Sequence, residues 1–430
     1  MLALYACGSD SLGQITGRKN TQRKIDNFKL IARQYRLRVL SSSFGRTVYA
    51  DDKDVYCIGV PTDSRTPLQS HQIKEVFSTD EDGITGLITV SGELYSRSPV
   101  TTHRNPQTLS HFNLRTRNDA TESSYNPEIQ HFAIAGNGRA SATYFRRVSD
   151  VTSAVLVTGT TWQGLVHDTQ TSETFGNVVR FLRPSQPKQL VANSITFTML
   201  MHDGMVYTWG DPRYGALGRQ QDEGFDVPCP LRALEGLKVV KVAAGGFFSA
   251  ALTEDGRLYV WGVARPGGEQ VDIVEGSVGL QSIAGNGEDR VVDVAVGDNH
   301  IVALLADGRI FGVGEGQSGE LGAAVKESGG FARTWVEIPT PGLERVNSLV
   351  CGRQSTFLLC ETQRLDVVVP EGDAIQILTQ EDDSDSWPKK IREDAESQDT
   401  NLRAEEVVGS EFDDSDLPLE GPDDWFRGTG

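Results

Sequence analysis

Seven short strings of similar residues recur along the chain at intervals of roughly 50 residues. Most begin with an aliphatic residue followed by an aromatic one and end at glycine, and their last residues are numbers 8, 59, 98, 159, 210, 262 and 314. A regular period of this size is typical of repeat architectures, in which each unit is stabilised by packing against its neighbours. The chain is therefore expected to fold as an array of similar units.

Two copies of the repeat, residues 239–262 and 291–314, show its internal organisation best. Each contains three short apolar runs, and an Asp-Gly dipeptide separates the last two, Asp255-Gly256 in one copy and Asp307-Gly308 in the other. Such a dipeptide between apolar runs is a strong signal of a β-hairpin, because the tight turn requires positive φ angles. A unit of this length holds about four short strands, which is one blade of a β-propeller.

The two ends of the repeat region complement each other. The string that ends at Gly8 is only the last part of a repeat, whereas residues 346–360 correspond to a first part. Joined, they make one blade, and the joint removes exposed sheet edges that promote aggregation. We predict an all-β, seven-bladed propeller over residues 1–365, in which residues 346–360 complete the first blade. The predicted blade ends lie near residues 8, 59, 98, 159, 210, 262 and 314.

The best repeats resemble those of a known family. Residues 291–314 contain its valine-rich run, glycine turn, histidine, Asp-Gly turn and final glycine, and the closing string Gly-Glu-Leu-Gly follows at 319–322. This pattern resembles the regulator of chromosome condensation family of seven-bladed propellers. The family's histidine is present at His300, whereas Phe248 replaces it in the preceding repeat. The resemblance implies a single-propeller relative, close to the alpha-tubulin suppressor group, and not the founding Ran exchange factor.

Acidic residues are concentrated at the end of the chain. The formal net charge is −18, and residues 361–430 hold 21 acidic against 6 basic residues. Such a segment buries too little apolar surface to offset its chain entropy, so residues 366–430 are predicted to form a largely disordered acidic tail. Trp425 and Phe426 stand among the acids of this tail. They are either a docking motif for a protein partner or part of a solubilising segment.

The main basic cluster lies near the start of the chain, between residues 18 and 38, and begins with Arg18, Lys19, Arg23 and Lys24. It is interpreted as a solvated loop between blades, with a helical turn near residues 28–35, or as a site for an acidic protein partner or the chain's own tail. Nucleic acid is the least favoured partner. Phosphate recognition requires several cationic contacts, and the sequence pI is about 4.9.

The sequence contains no arrangement of residues typical of catalysis or of metal or cofactor binding. Histidines and cysteines are scattered without the spacing of metal sites, and neither a phosphate-binding loop nor a G-x-S-x-G string occurs. The cysteines are interpreted as reduced thiols of a cytoplasmic or nuclear protein. No apolar run of membrane-spanning length and no secretory signal is evident, so we expect no membrane association.

We therefore predict a non-enzymatic interaction scaffold or regulatory subunit that is monomeric alone and binds a protein partner through one propeller face and its loops. The partner is expected to be a small GTPase or a small regulatory complex. The alternative, by family resemblance, is a guanine-nucleotide exchange factor for a Ran-like small GTPase. Trp162 and Trp335, just outside repeat strings, are candidate contacts. The further aromatic candidates are Phe175, Tyr214, Phe225 and Phe331.

Overall fold

The computed structural model describes most of residues 1–368 in a series of segments. These are residues 1–17, 24–59, 70–79, 83–97, 109–112, 128–148, 151–162, 165, 175–181, 186–220, 224–273, 278–285, 289–326, 328–340, 342–343 and 345–368. The tail is predicted to begin at residue 366, but residues 366–368 are ordered and pair with the strand Lys24–Gln34. From residue 369 onward, the prediction of disorder concerns residues outside the described ones. Trp425 and Phe426 are therefore not described.

The described strands form seven antiparallel sheets, each of which is one blade. The closing blade contains β1 (Leu2–Ser9), β2 (Lys24–Gln34), β26 (Val346–Gly352) and β27 (Ser355–Glu361). Blade two contains β3 (Arg38–Ser42), β4 (Arg46–Ala50) and β5 (Val55–Gly59). Blade three contains β6 (Ile73–Thr79), β7 (Gly83–Thr89), β8 (Leu94–Arg97) and β9 (Leu109–Phe112). Blade four contains β10 (Glu128–Ile134), β11 (Ala140–Val148), β12 (Val151–Gly159) and β13 (Phe175–Phe181).

The remaining three blades follow the same plan. Blade five contains β14 (Pro187–Ala192), β15 (Thr196–Met201), β16 (Val206–Gly210) and β17 (Cys229–Pro230). Blade six contains β18 (Val239–Gly245), β19 (Phe248–Thr253), β20 (Leu258–Gly262) and β21 (Gly279–Leu280). Blade seven contains β22 (Val291–Val296), β23 (His300–Leu305), β24 (Ile310–Glu315) and β25 (Phe331–Glu337). Every residue of β15, β19 and β23 is buried, as expected for short apolar strands covered on both faces.

The ring is closed by strands from the two ends of the described chain. β1 pairs with β27 in an unbroken antiparallel register that runs from Leu2 opposite Glu361 to Gly8 opposite Ser355. β26 then pairs with β27, so the strand order in this blade is β2-β1-β27-β26. The predicted seven-bladed propeller, with one blade shared between the two ends, is confirmed.

The first strand of every blade carries a β-bulge at the same place, one or two residues after the strand begins. Such a bulge adds one residue to one strand and increases its twist. The residue that follows the bulge commonly reaches the neighbouring blade. Gln189 exchanges two hydrogen bonds with the Val242 backbone, and Lys241 forms an ion pair with Asp293. The blades are thus joined in sequence around the axis.

The string Gly319-Glu-Leu-Gly322 and its equivalent Gly215-Ala-Leu-Gly218 also join neighbouring blades. The carbonyl oxygen of Ala216 accepts a 3.1 Å hydrogen bond from the Trp261 indole of blade six. At the equivalent place, the Glu320 carbonyl oxygen accepts bonds from the Thr356 hydroxyl (2.8 Å) and the Cys7 thiol (3.6 Å) of the closing blade. Gly218 requires glycine, because its φ is +65° and a Cβ atom would lie 2.8 Å from the Trp261 ring.

The interpretation of the basic stretch as a loop with a helical turn is wrong for its second half. Lys24–Gln34 forms β2, because pairing with β1 holds the backbone extended and buries Ile31 and Ala32 in the core. Arg33 is also buried, with its side chain 3% exposed in an ion pair with Asp366. Arg33 and Val368 exchange two backbone hydrogen bonds of 2.8 and 3.1 Å, so the chain after β27 continues onto the outer edge of β2.

A buried carboxyl group lies at the contact between blade seven and the closing blade. Glu320 is 2% exposed, and its carboxylate accepts a 2.9 Å hydrogen bond from the Ser318 amide. Burial raises the pKa of this carboxyl group to about 7, and the nearby charge of Glu315 acts in the same direction. The folded chain therefore retains a proton here that the unfolded chain loses near pH 4.5.

We predict that the Glu320→Gln variant is more stable than the native chain at pH 8 and gains much less at pH 4. Because the folded pKa is raised, the native chain has the full benefit of the neutral carboxyl group below pH 4.5 and loses it as the pH rises through about 7. The gain in unfolding free energy of the variant over the native chain should be larger at pH 8 than at pH 4 by an amount on the order of 3 kcal/mol. Thermal unfolding from pH 4 to pH 8 measures it, with the exposed Glu337→Gln variant as control. Parallel profiles for both variants would contradict the assignment.

Candidate protein-binding face

One end of the propeller carries the turns that join the first and second strands of the blades. We call this end the inner-turn face, and its described turns are residues 43–45, 135–139, 193–195, 246–247, 297–299 and 353–354. Because the strands are antiparallel, the segments that follow the third strands emerge at the same end. Among these are residues 10–17, 211–218 and 316–322, which contain the glycine-leucine strings.

A depression of about 290 Å³ lies at the centre of the inner-turn face. Its lining is dominated by small residues, and adjacent turns are tied by backbone hydrogen bonds, from Asn137 to Ser194 (2.8 Å) and from Ser194 to Gly246 (2.7 Å). A Cβ atom on Gly246 would lie 1.4 Å from the Asp298 carbonyl oxygen, so only glycine fits this turn. The depression therefore has a floor made largely of backbone, held in position by its neighbours.

An aromatic patch stands beside this depression, in the segment after β16. Tyr214 is 42% exposed, and its ring contacts the Phe247 ring edge-on at a centroid distance of 5.4 Å. The Arg213 guanidinium lies 5.8 Å from the centre of the Tyr214 ring. Phe225 and Val227 are 45% and 39% exposed in the same blade. We call Arg213, Tyr214 and Phe247 the Tyr214 patch.

The backbone of Tyr214 adopts an unfavourable conformation. Its φ of 62° and ψ of 22° lie in the left-handed region, and no other non-glycine residue of the described chain has a positive φ. For a bulky residue this costs about 1–2 kcal/mol. Asp211 stabilises the turn by accepting three hydrogen bonds from the Arg213 guanidinium at 2.6–3.0 Å, which lowers the pKa of the Asp211 carboxyl group. Strain of this kind persists where the surrounding structure enforces it, and it is concentrated at functional sites.

The structure separates the predicted aromatic contacts into exposed and buried residues. Tyr214 and Phe225 are exposed, whereas Trp162 is 6% exposed and Phe331 is 9% exposed. Trp162 packs in the hydrophobic core shared by blades three and four, and its backbone amide donates a 3.1 Å hydrogen bond to the Gly138 carbonyl oxygen. As a candidate partner contact, Trp162 is therefore corrected to a core residue.

The remaining candidate contacts lie apart from the Tyr214 patch or outside the described residues. Trp335 is half-buried on β25, and its indole donates a 3.2 Å hydrogen bond to the Gln281 side chain. The Lys24 side chain is 47% exposed and forms an ion pair with Asp26 at 3.4 Å. Several other candidates, together with the side chain of Phe175, are not described: Arg18, Lys19, Arg23, Trp425 and Phe426.

His300, Cys57 and Cys351, all in described strands, are uncharged and unreactive at neutral pH. Burial lowers the pKa of His300 to about 4, so the ring is neutral, and its Nε2 atom lies 3.2 Å from the Thr356 hydroxyl. Burial raises the pKa of the Cys57 thiol to about 11 and that of Cys351 to about 12, which suppresses their nucleophilic forms. Within the described segments, no three His, Cys, Asp or Glu side chains stand close enough to bind a metal ion together.

The described part of the chain also has no helix with the length and apolarity needed to cross a bilayer.

Comparison with known proteins identifies the repeats. Two models of the regulator of chromosome condensation (RCC1) repeat match residues 203–252 and 291–320. The human regulator of chromosome condensation is 36% identical over 142 residues, which are 32% of this chain and 33% of that protein. The human E3 ubiquitin-protein ligase HERC2 is 34% identical over 161 residues, which are 37% of this chain and 3% of the ligase. The chain thus matches a third or less of these relatives.

A solved structure shows the same fold over nearly the whole chain. Prp20p from Saccharomyces cerevisiae superposes with a TM-score of 0.59 at 13% identity, covering 93% of this chain and 95% of Prp20p. The two repeat-model matches fall in blades five to seven, whereas the match in structure covers the early blades as well. The chain is a seven-bladed β-propeller with repeats of the regulator of chromosome condensation type.

Proposed function

We propose that the protein is a non-enzymatic interaction scaffold or regulatory subunit that binds a protein partner through its inner-turn face, with the Tyr214 patch as the principal contact. The observation that carries this proposal is the conformation of Tyr214. A bulky aromatic side chain is held in a strained backbone conformation and remains 42% exposed, although a glycine would occupy the same turn without strain. Structural stability alone does not account for such a residue.

The composition of the patch fits a protein partner. Tyrosine and arginine are enriched among the residues that dominate binding energy at interfaces, and Tyr214 and Arg213 are stacked together here. The Phe247 ring and the Asp211 carboxylate restrict both side chains before any partner arrives. Preorganisation of this kind reduces the entropy lost on binding. The adjacent depression, lined by serines and glycines, gives a protruding partner loop room to enter.

The relatives support a protein partner by analogy. Prp20p has binding properties toward Gsp1p and histones, which are themselves proteins. Propellers present their loops on two faces of a rigid ring, and binding residues are concentrated on such loops. Affinity purification would identify the partner of this chain.

We predict that Tyr214→Ala abolishes capture of the principal partner and leaves the fold intact. Truncation of a central aromatic contact costs 2 kcal/mol or more, which is about a 30-fold loss of affinity. Tyr35→Ala is the matched control, because Tyr35 is 69% exposed and lies at the end of β2, on the opposite face. Quantitative affinity purification identifies the partner, and titration of the purified pair gives the affinity. Equal capture by the Tyr214→Ala, Tyr35→Ala and native chains would contradict the proposal.

We also predict that the protein does not accelerate nucleotide release from Ran. The similarity to the human regulator covers only a third of either chain, and the family's characteristic histidine occurs once, buried at His300. A fluorescent nucleotide-release assay with Ran measures this, and the human regulator serves as positive control. Release at the intrinsic rate is the expected result, whereas clear acceleration would reassign the protein as an exchange factor.

A further inference from the structure

A cavity of about 360 Å³ lies between the closing blade and blade two, where the first strands of three successive blades approach the axis. Its floor is apolar, with Leu4, Val350, Phe357 and Leu359 contributed by the closing blade and Leu37 and Val39 by the chain at the start of blade two. A pocket of this size and composition is typical of small-molecule sites, in which apolar walls are combined with a few polar groups.

The cavity has a cause in the sequence. At several other contacts between blades, the residue after the bulge reaches the next blade, as with Gln189 and Lys241. In β26 this position is occupied by Ser348, whose short side chain leaves the space toward β3 unfilled. At the inner-turn end the two blades are in close contact, because a Cβ atom on Gly352 would lie 2.2 Å from the Ser42 hydroxyl.

The charged groups at the rim of the cavity are Arg38, Lys74 and Glu75. Within the described segments, Arg38 donates hydrogen bonds to the carbonyl oxygens of Ser70 and Ile73, at 3.1–3.2 Å, and Lys74 donates to the carbonyl oxygen of Gln130. Among the described residues, no carboxylate pairs with either cation. Glu75 is directed to the His131 ring, at 3.7 Å. The lining therefore carries two positive charges and one negative charge around an apolar floor.

We propose that this cavity binds a small hydrophobic carboxylate. The apolar part of the ligand would replace the contacts that Ser348 does not make, and its carboxylate would replace the carbonyl oxygens to which Lys74 and Arg38 now donate. A charge-assisted hydrogen bond to a carboxylate is stronger than one to a neutral carbonyl oxygen, so the two cations favour an anion over a neutral ligand. This site is independent of the Tyr214 patch, which lies on blades five and six.

Octanoate is a suitable probe, with octanamide as its neutral counterpart and octylamine as its cationic one. We expect saturable binding of one octanoate per chain by isothermal titration calorimetry, with at least tenfold weaker binding of both counterparts. Lys74→Gln should weaken octanoate binding about tenfold. Lys188→Gln is the matched control, because Lys188 occupies the equivalent bulge and donates to the Val240 carbonyl oxygen at 2.9 Å, but lies outside the cavity.

A second variant tests the shape of the site without removing a charge. Ser348→Gln gives β26 the side chain that Gln189 provides in β14, and it should fill the cavity, abolish octanoate binding and preserve the melting temperature. The proposal is overturned if octanoate does not saturate the chain below about 10 mM. It is also overturned if octanamide binds as tightly as octanoate, or if Lys188→Gln weakens binding as much as Lys74→Gln.

Discussion

The structure depends on the antiparallel pairing of β1 with β27, which turns an open row of blades into a ring. The other described blades use strands that are neighbours along the chain, whereas this pair joins Leu2 to Glu361. Without it, the β1-β2 pair and the β26-β27 pair would each present an unpaired sheet edge to solvent. The polar contacts around the axis, such as Lys241 with Asp293 and Asp293 with the Leu349 amide, have a fixed geometry only when the ring is closed.

Closure also determines how function is distributed over the molecule. The turns of the inner-turn face come from different blades, and their mutual positions are set by the ring, as the hydrogen bonds from Asn137 to Ser194 and from Ser194 to Gly246 show. Tyr214 on blade five rests on Phe247 of blade six, so the patch exists only because those blades are adjacent. The cavity beside Ser348 is likewise lined by three blades. Both proposed sites are properties of blade contacts and not of single repeats.

The repeat period and the Asp-Gly turns were sufficient to predict the fold, because each blade is stabilised by local hairpins whose residues are close in sequence. Prediction failed where the determining contact is distant. The basic stretch was interpreted as a loop, yet Lys24–Gln34 is a strand. Its pattern was missed because register shifts in its pairing with β1 interrupt the alternation of its side chains. The burial of Trp162 and the left-handed conformation of Tyr214 likewise depend on tertiary packing. No pattern in the local sequence indicates either of them.

The most direct test of ring closure is a covalent bond across the joint. Ala3 lies opposite Cys360 in the pairing of β1 with β27, and residues paired in this way are close enough for a disulfide. After mild oxidation of the Ala3→Cys variant, peptide mapping should find residue 3 linked to residue 360 in the monomer, and the melting temperature should rise. A residue 3 thiol that stays free, or that links to a different cysteine, would contradict the closed ring.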